Sequence, residues 1–329
     1  MSGYPEIRLR RLRRTASLRR MLDLPLPGPE KFIWPTFLRE GLDGKEPIES
    51  MPGQHRLGID GLLKEAEGIV KSGIGGILLF GLGETDEKDN AGSSAHAEGG
   101  IVQRAVTELK REFPDLIVAT DVCLCAYTEH GHCGPLSPEG DVDNDAALEE
   151  LAKVAVSHAA AGADIVAPSA MMDGQVLAVR EALDEGGFEQ TILMSYSTKF
   201  ASSMYGPFRE AEQSAPQKGD RKGYQASYGD LRQALRESEL DEDEGADVLM
   251  VKPSLFYLDV ISCLADDTDL PIAVYNVSGE YAMLCATAEK GWGDLVPLVR
   301  ESTTALVRAG ADILISYWAN QYDDIFVGN

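Results

Sequence analysis

Three of the chain's five cysteines fall within eleven residues, in the stretch Asp121-Val-Cys-Leu-Cys-Ala-Tyr-Thr-Glu-His-Gly-His-Cys133. Cys123 and Cys125 alternate along an extended segment, so both thiols can face one point. Cys133 follows eight residues later, across a glycine-containing loop that can return it to that point. Three thiolates leave one position of a tetrahedral zinc open, as in a catalytic centre, whereas a structural zinc has four protein ligands. His130 and His132 are candidate fourth ligands or supporting groups, so a closed structural site is one alternative. Buried cysteines without a metal are another. The odd cysteine count argues against a disulfide framework.

Two lysines form the second constellation. Lys252 ends the apolar run Asp247-Val-Leu-Met-Val-Lys-Pro253, and Lys199 follows another in Tyr196-Ser-Thr-Lys199-Phe200. A lysine held in a dry mouth loses its proton more easily, and a second cation beside it acts in the same direction. Either effect yields a neutral amine that attacks a carbonyl carbon. Two such lysines in a chain with twelve point to Schiff-base chemistry. Asp121, Ser278 and Tyr317 stand at or just after apolar runs and are further candidates.

The elements that must position these groups alternate. Short runs rich in Val, Ile and Leu occur at 32–38, 76–80, 116–122, 164–168, 192–196, 248–251, 272–275 and 313–317. They read as strands buried on both faces. Between them lie segments with apolar spacing of three and four, including 57–71, 146–161, 175–183 and 295–309. Gly-Ala-Asp recurs at 162–164, 245–247 and 310–312, a helix-ending glycine just before a strand. Eight strands alternating with helices predict an α/β fold, a (β/α)8 TIM barrel with an N-terminal arm. An open doubly wound sheet is the alternative, but no GxGxxG follows the first strand. Functional groups of a barrel belong at the C-terminal ends of its strands, which is where the lysines and the first cysteines fall. Residues 1–28 read as an arm and 29–329 as the catalytic barrel. Segment 81–99 reads as a loop, and 201–225 as a lid that closes on an anionic substrate.

The net charge is −24, with pI near 4.5. Such acidity argues against nucleic acid or an anionic membrane as a partner, and it suggests a salt-adapted, halophilic surface. The first twenty residues oppose it with seven Arg and one acid, which fits an arm docking on an acidic neighbouring subunit. No apolar run of about 18 residues predicts a membrane span, and no secretory signal is recognisable. A cytoplasmic location is the expectation.

These motifs resemble the porphobilinogen synthase (5-aminolevulinate dehydratase) family, zinc-dependent type. The cysteine stretch is similar to that family's zinc-binding segment. Tyr-Ser-Thr-Lys-Phe-Ala-Ser-Ser-Met-Tyr-Gly-Pro-Phe-Arg and Met-Val-Lys-Pro-Ser-Leu-Phe-Tyr-Leu-Asp are similar to its two lysine segments. Ser50-Met-Pro-Gly, Met172-Asp-Gly and Tyr275-Asn-Val-Ser-Gly-Glu-Tyr also match, and the resemblance runs from about residue 8 to the end. It implies a lyase that condenses two 5-aminolevulinates to porphobilinogen for heme and other tetrapyrroles. It implies Schiff bases on Lys252 for the first substrate and Lys199 for the second. Tyr205, Phe208, Arg209, Arg221 and Gln225 then belong to a substrate-binding lid. Ser278 and Tyr317 hold the other carboxylate, and Asp121 lies near an amine. Zinc on Cys123, Cys125 and Cys133, an allosteric magnesium at Glu237, and an octamer with a hexamer as the alternative are implied as well. Ala170 and Gln175 depart from the family pattern, which often has Asp and Arg there, near the magnesium region. Another Schiff-base lyase or aldolase with a structural zinc, and a non-enzymatic zinc or assembly protein, are the competing readings.

Overall fold

The computed structural model describes residues 7–83 and 85–328. Its sheet strands are β1 (Phe32–Arg39), β2 (Lys45–Pro47), β3 (His55–Leu57), β4 (Gly76–Leu82), β5 (Ile117–Val122), β6 (Ile165–Pro168), β7 (Ile192–Lys199), β8 (Val248–Lys252), β9 (Ile272–Asn276) and β10 (Ile313–Ser316). The helices are α1 (Ala16–Leu22), α2 (Ile59–Lys71), α3 (Ile101–Glu112), α4 (Asn144–Ala161), α5 (Gln175–Glu185), α6 (Gly206–Glu212), α7 (Leu231–Asp243), α8 (Leu258–Asp267), α9 (Ser278–Glu289) and α10 (Leu295–Ala309). Strands β1 and β4 to β10 pair in parallel around a ring that the β10–β1 pairing closes. This is the (β/α)8 barrel that the alternation predicts. The short strands β2 and β3 pair antiparallel, and β3 runs alongside the end of β1.

The strands form where they do because both of their faces are covered. All seven residues of β4 and all five of β8 are buried, so runs without polar alternation suit them. The Gly-Ala-Asp repeats serve two purposes. Gly162, Gly245 and Gly310 take φ of 104°, 100° and 122°, the left-handed region that ends a helix at little cost to glycine. The aspartates then reach the neighbouring strand. Asp164 accepts from the Val118 amide (2.8 Å), Asp247 from Leu193 (2.7 Å) and Asp312 from Ile272 (3.0 Å). Each carboxylate thus pins the start of one strand to the start of the next, at the end of the barrel opposite the site.

Residues 7–28 of the arm hold a short 3-10 turn (Leu9–Arg13) and α1, neither with a buried residue; residues 1–6 of the expected arm lie outside the described residues. Segment 81–99 contains two brief 3-10 turns. The lid 201–225 is more ordered than its polar composition suggests, because it contains α6. No helix is long and apolar enough to cross a membrane.

Candidate active site

Lys199 and Lys252 are the last residues of β7 and β8, and they are paired partners across that ladder. Both are nearly inaccessible, at 6% and 3% exposure. Their surroundings differ. The Lys252 amine lies in an aromatic enclosure, 4.1 Å from the ring centre of Tyr275 and 4.8 Å from those of Tyr196 and Phe208. Phe80 and Tyr205 complete it at 5.7 Å. Burial among these rings pushes the Lys252 pKa down to about 7, and Lys199 adds to the shift while Asp121 opposes it. The Lys199 amine instead donates to the Ser169 carbonyl at 2.5 Å. Asp121, at the end of β5, faces both amines. Burial pushes it up to about 6 against the pull of the two lysines, and one of its oxygens has no hydrogen-bond partner.

The thiols of Cys123, Cys125 and Cys133 lie within 4.8 Å of one another and are buried. Cys123 and Cys125 are 3.4 Å apart. In a tetrahedral zinc site with Zn–S near 2.3 Å, two sulfurs are separated by about 3.8 Å, so the donor set and spacing fit that ion. Thiol hydrogen bonds from Cys123 and Cys125, together with the charge of Arg221, hold Cys133 well below the usual thiol range. The histidines go elsewhere. The ring of His132 engages the Tyr224 hydroxyl (3.1 Å) and the Lys218 carbonyl (3.0 Å), and His130 engages the Asn90 carbonyl (3.2 Å). The His132 ring thus bonds to segment 201–225 and the His130 ring to segment 81–99, and neither joins the thiol cluster.

Segment 201–225, the expected lid, contributes to the same cavity. Arg221 donates to the carbonyls of Gly131 (2.9 Å) and Ser214 (2.6 Å). A Cβ on Gly131 would sit 2.6 Å from the Ala215 carbonyl, and its φ is 75°, so glycine alone fits this docking point. The Nε atoms of Arg209 and Arg221 and both amide atoms of Gln225 are buried without a partner. Buried polar atoms are rarely left so; the two arginine nitrogens line one cavity and are donors able to receive an anionic group, and Gln225 offers one further donor, its Nε2. Ser278, the first residue of α9, accepts from the Phe208 amide at 2.9 Å, and the neighbouring Gly279 allows this approach, since a Cβ there would meet the Met204 carbonyl at 2.4 Å. Tyr317 shares a hydrogen bond of 3.0 Å with Tyr275, and the Tyr205 hydroxyl donates to the Lys252 carbonyl at 3.1 Å. Asp121, Cys125, Lys199, Lys252, Tyr205, Phe208, Arg209 and Arg221 line one cavity.

Three site features escape sequence reasoning. Glu212 lines the same cavity from the end of α6, 3.5 Å from Cys125 Sγ. Glu280 is wholly buried and accepts from the amides of Ser254 (3.0 Å), Leu255 (2.7 Å) and Val277 (2.9 Å), tying the loop after Lys252 to the one bearing Ser278. Its position in Ser-Gly-Glu-Tyr is the one signal that could have raised it. The aromatic enclosure is the third, assembled from three different strands and the 201–225 segment. Glu237, the expected magnesium ligand, lies on α7 in a separate large cavity with Asp173. Among the described residues, only the three cysteines gather tightly enough to suggest a metal. Gln175 folds back, its Oε1 accepting from the Met172 amide at 3.3 Å and its Nε2 donating to the Pro168 carbonyl at 3.4 Å.

A closed parallel barrel whose polar cavity lies at the C-terminal ends of its strands has the architecture of the TIM-barrel enzymes. The relatives make the class specific. The profile of the delta-aminolevulinic acid dehydratase family matches residues 6–325. The chain is 48% identical to the delta-aminolevulinic acid dehydratase of Archaeoglobus fulgidus over 98% of both chains. It is 50% identical to that of Synechococcus elongatus over 96% of this chain and 97% of the other. Its fold superposes on the Toxoplasma gondii ME49 delta-aminolevulinic acid dehydratase bound to the product porphobilinogen, with a TM-score of 0.94, 41% identity, and 97% of this chain and 91% of that one covered. The chain belongs to the delta-aminolevulinic acid dehydratase family and is a lyase.

Proposed function

We propose that the chain condenses two molecules of 5-aminolevulinate to porphobilinogen through imines on Lys252 and Lys199. The observation that carries this reading is the pairing of two buried lysines across β7 and β8, one of them pushed down to about 7. At neutral pH a large share of Lys252 is unprotonated. Its nitrogen attacks the ketone carbon of one substrate, the oxygen leaves as water, and an imine remains that activates the adjacent carbon. Lys199, held by the Ser169 carbonyl, does the same for the other substrate. Asp121 faces both amines and is placed to carry a proton between the reacting nitrogen and water. The unpartnered donors on Arg209, Arg221 and Gln225 suit one substrate carboxylate, and Ser278 and Tyr317 suit the other. Tyr205 and Phe208 exclude water from Lys252.

Cys123, Cys125 and Cys133 would hold a zinc ion, which in such a site supplies Lewis acidity to an amine or water. Glu237 remains the residue proposed for a regulatory magnesium. The arm exposes Leu9, Leu12, Met21 and Leu22, apolar surface that a second copy of the chain would cover. A cytoplasmic homo-octamer, with a hexamer as the alternative, accommodates that arm. The test is borohydride reduction of the full chain with 5-aminolevulinate, followed by peptide mapping. Stable adducts on Lys252 and Lys199, with porphobilinogen formed in the unreduced sample, are expected. An adduct on Lys252 alone, with Lys199→Met fully active, favours the aldolase reading.

A further inference from the structure

Glu212 has a position that the chemistry above does not use. It is the last residue of α6 and is 3% exposed. The next residue, Gln213, stands in the left-handed region at φ 52°, uncommon for a side-chain-bearing residue. The chain therefore turns sharply after Glu212. Ser214 follows, its hydroxyl donating to Glu212 Oε2 at 2.6 Å. The same oxygen lies 3.5 Å from Cys125 Sγ. A buried carboxylate is costly unless it is paired; Arg221 and Lys252 line the same cavity, yet among the described residues Glu212 makes no ion pair with either. What it adjoins is a cluster of three thiols whose donor set suits a divalent cation.

The geometry fits ligation. With Zn–S near 2.3 Å and Zn–O near 2.1 Å, a sulfur and an oxygen on one tetrahedral ion are about 3.6 Å apart, close to the 3.5 Å seen between Cys125 and Glu212. Only Cys125 is contacted, so ligation requires the carboxylate to turn from Ser214 towards the other two sulfurs. The two halves of such a site have different origins. The cysteines belong to the segment after β5, whereas Glu212 belongs to the lid.

We propose that Glu212 is a lid-borne fourth ligand for the divalent metal held by Cys123, Cys125 and Cys133, so that the metal latches the lid to the barrel. The latch rests on the zinc reading given above. It makes lid order depend on metal, and it makes the open metal position one that a substrate amine or water gains only by displacing Glu212.

The test uses the full-length chain, stripped of metal by chelation and then titrated with zinc or cobalt(II). Wild type is compared with Glu212→Ala, Glu212→Gln and Ser214→Ala. Zinc affinity is read by chelator competition, ligand type by cobalt d–d absorption, and lid order by protease cleavage within 201–225. Both Glu212 variants are expected to bind zinc at least about tenfold more weakly and to show shifted cobalt bands. Zinc should slow lid cleavage in wild type and no longer do so in either variant. Glu212→Gln keeps the side-chain shape, so its result does not depend on whether the alanine variant folds. Ser214→Ala, which frees the carboxylate, should bind zinc at least as tightly as wild type. Wild-type affinity, cobalt spectrum and lid protection in the Glu212 variants would overturn the latch while leaving the three-thiol site intact. A wild type that takes up no metal, or a Cys125→Ala chain that takes it up undiminished, would remove the zinc reading and the latch together.

Discussion

The wall of the barrel and the lid that covers it build the same cavity by different means. The wall contributes Asp121, Lys199 and Lys252 from strand ends paired into the parallel ladder, Asp121 opposite Ala167 and Lys199 opposite Lys252. The lid contributes Arg209, Arg221 and Glu212 from one segment held by a short helix and by backbone carbonyls. Their charges differ too. Segment 201–225 has four basic and three acidic residues, a net of +1, in a chain of net −24. Groups that form covalent bonds need fixed geometry, and sheet provides it. Groups that receive an anion must open to admit it, and a loop provides that. The division predicts that wall substitutions damage the chemical step and lid substitutions damage substrate capture.

The largest effect should come from the wall. Lys252→Met keeps most of the stem volume and removes the nucleophile, so kcat should fall by at least about a thousandfold. Its thermal melting should hold or rise, because a buried amine is replaced by an apolar group. Steady-state porphobilinogen formation and calorimetry read both. Retained turnover in Lys252→Met would break the division at once. The lid comes next. Arg221→Met removes two charge-assisted bonds, each worth about 1.5–3 kcal/mol. KM is expected to rise about ten- to a hundredfold with a smaller change in kcat. A loss confined to kcat would place Arg221 with the chemical groups instead.

A third effect sharpens the contrast between the two lysines. Imine formation needs neutral Lys252, whose pKa is pushed down to about 7 by burial and then by Lys199. Below that value the neutral fraction falls about tenfold per pH unit. The rate of borohydride-trapped adduct formation on Lys252 should therefore rise with pH up to about 7 and level off above it. In Lys199→Met the neighbouring cation is gone, so the limb should move to higher pH. A limb still climbing at pH 9 in wild type would mean that the aromatic enclosure does not lower this amine.

Much of the wall is legible from sequence, and little of the lid's interior is. Short Val- and Ile-rich runs ending in Lys252 or Asp121 carry their placement with them, since strand order and strand end follow from local pattern. The Cys123-x-Cys125 pair does place two thiols 3.4 Å apart, but in a bend and turn just past the end of β5 and not by the extended alternation that the spacing suggests. The aromatic enclosure is different. Phe80, Tyr196 and Tyr275 lie far apart in sequence and meet through barrel closure, which no local period encodes. Ser169 reaches Lys199 through a backbone carbonyl, and a carbonyl leaves no trace in residue type. Glu212 reads as one more acid in an acidic chain until α6 and the turn at Gln213 aim it inward. His130 and His132, close to the cysteines in sequence, are drawn off by Asn90, Tyr224 and Lys218. Sequence proximity overstates their part in the metal site.

The smallest effect tests the charge contrast itself. An acidic surface repels itself, and salt shortens the range of that repulsion from about 10 Å at 0.1 M to about 3 Å at 1 M. Raising KCl from 0.1 M to 2 M should lift the melting temperature of the full chain by a few degrees, as expected of a salt-adapted surface. The same salt should work against the lid, whose cations attract an anionic substrate. Arg221 is buried and therefore weakly screened, so KM should rise only a few-fold. Stability and KM thus move in opposite functional directions as salt increases. Parallel changes, or a melting temperature that is flat across salt, would show that the acidic surface and the cationic lid do not act as separate electrostatic bodies.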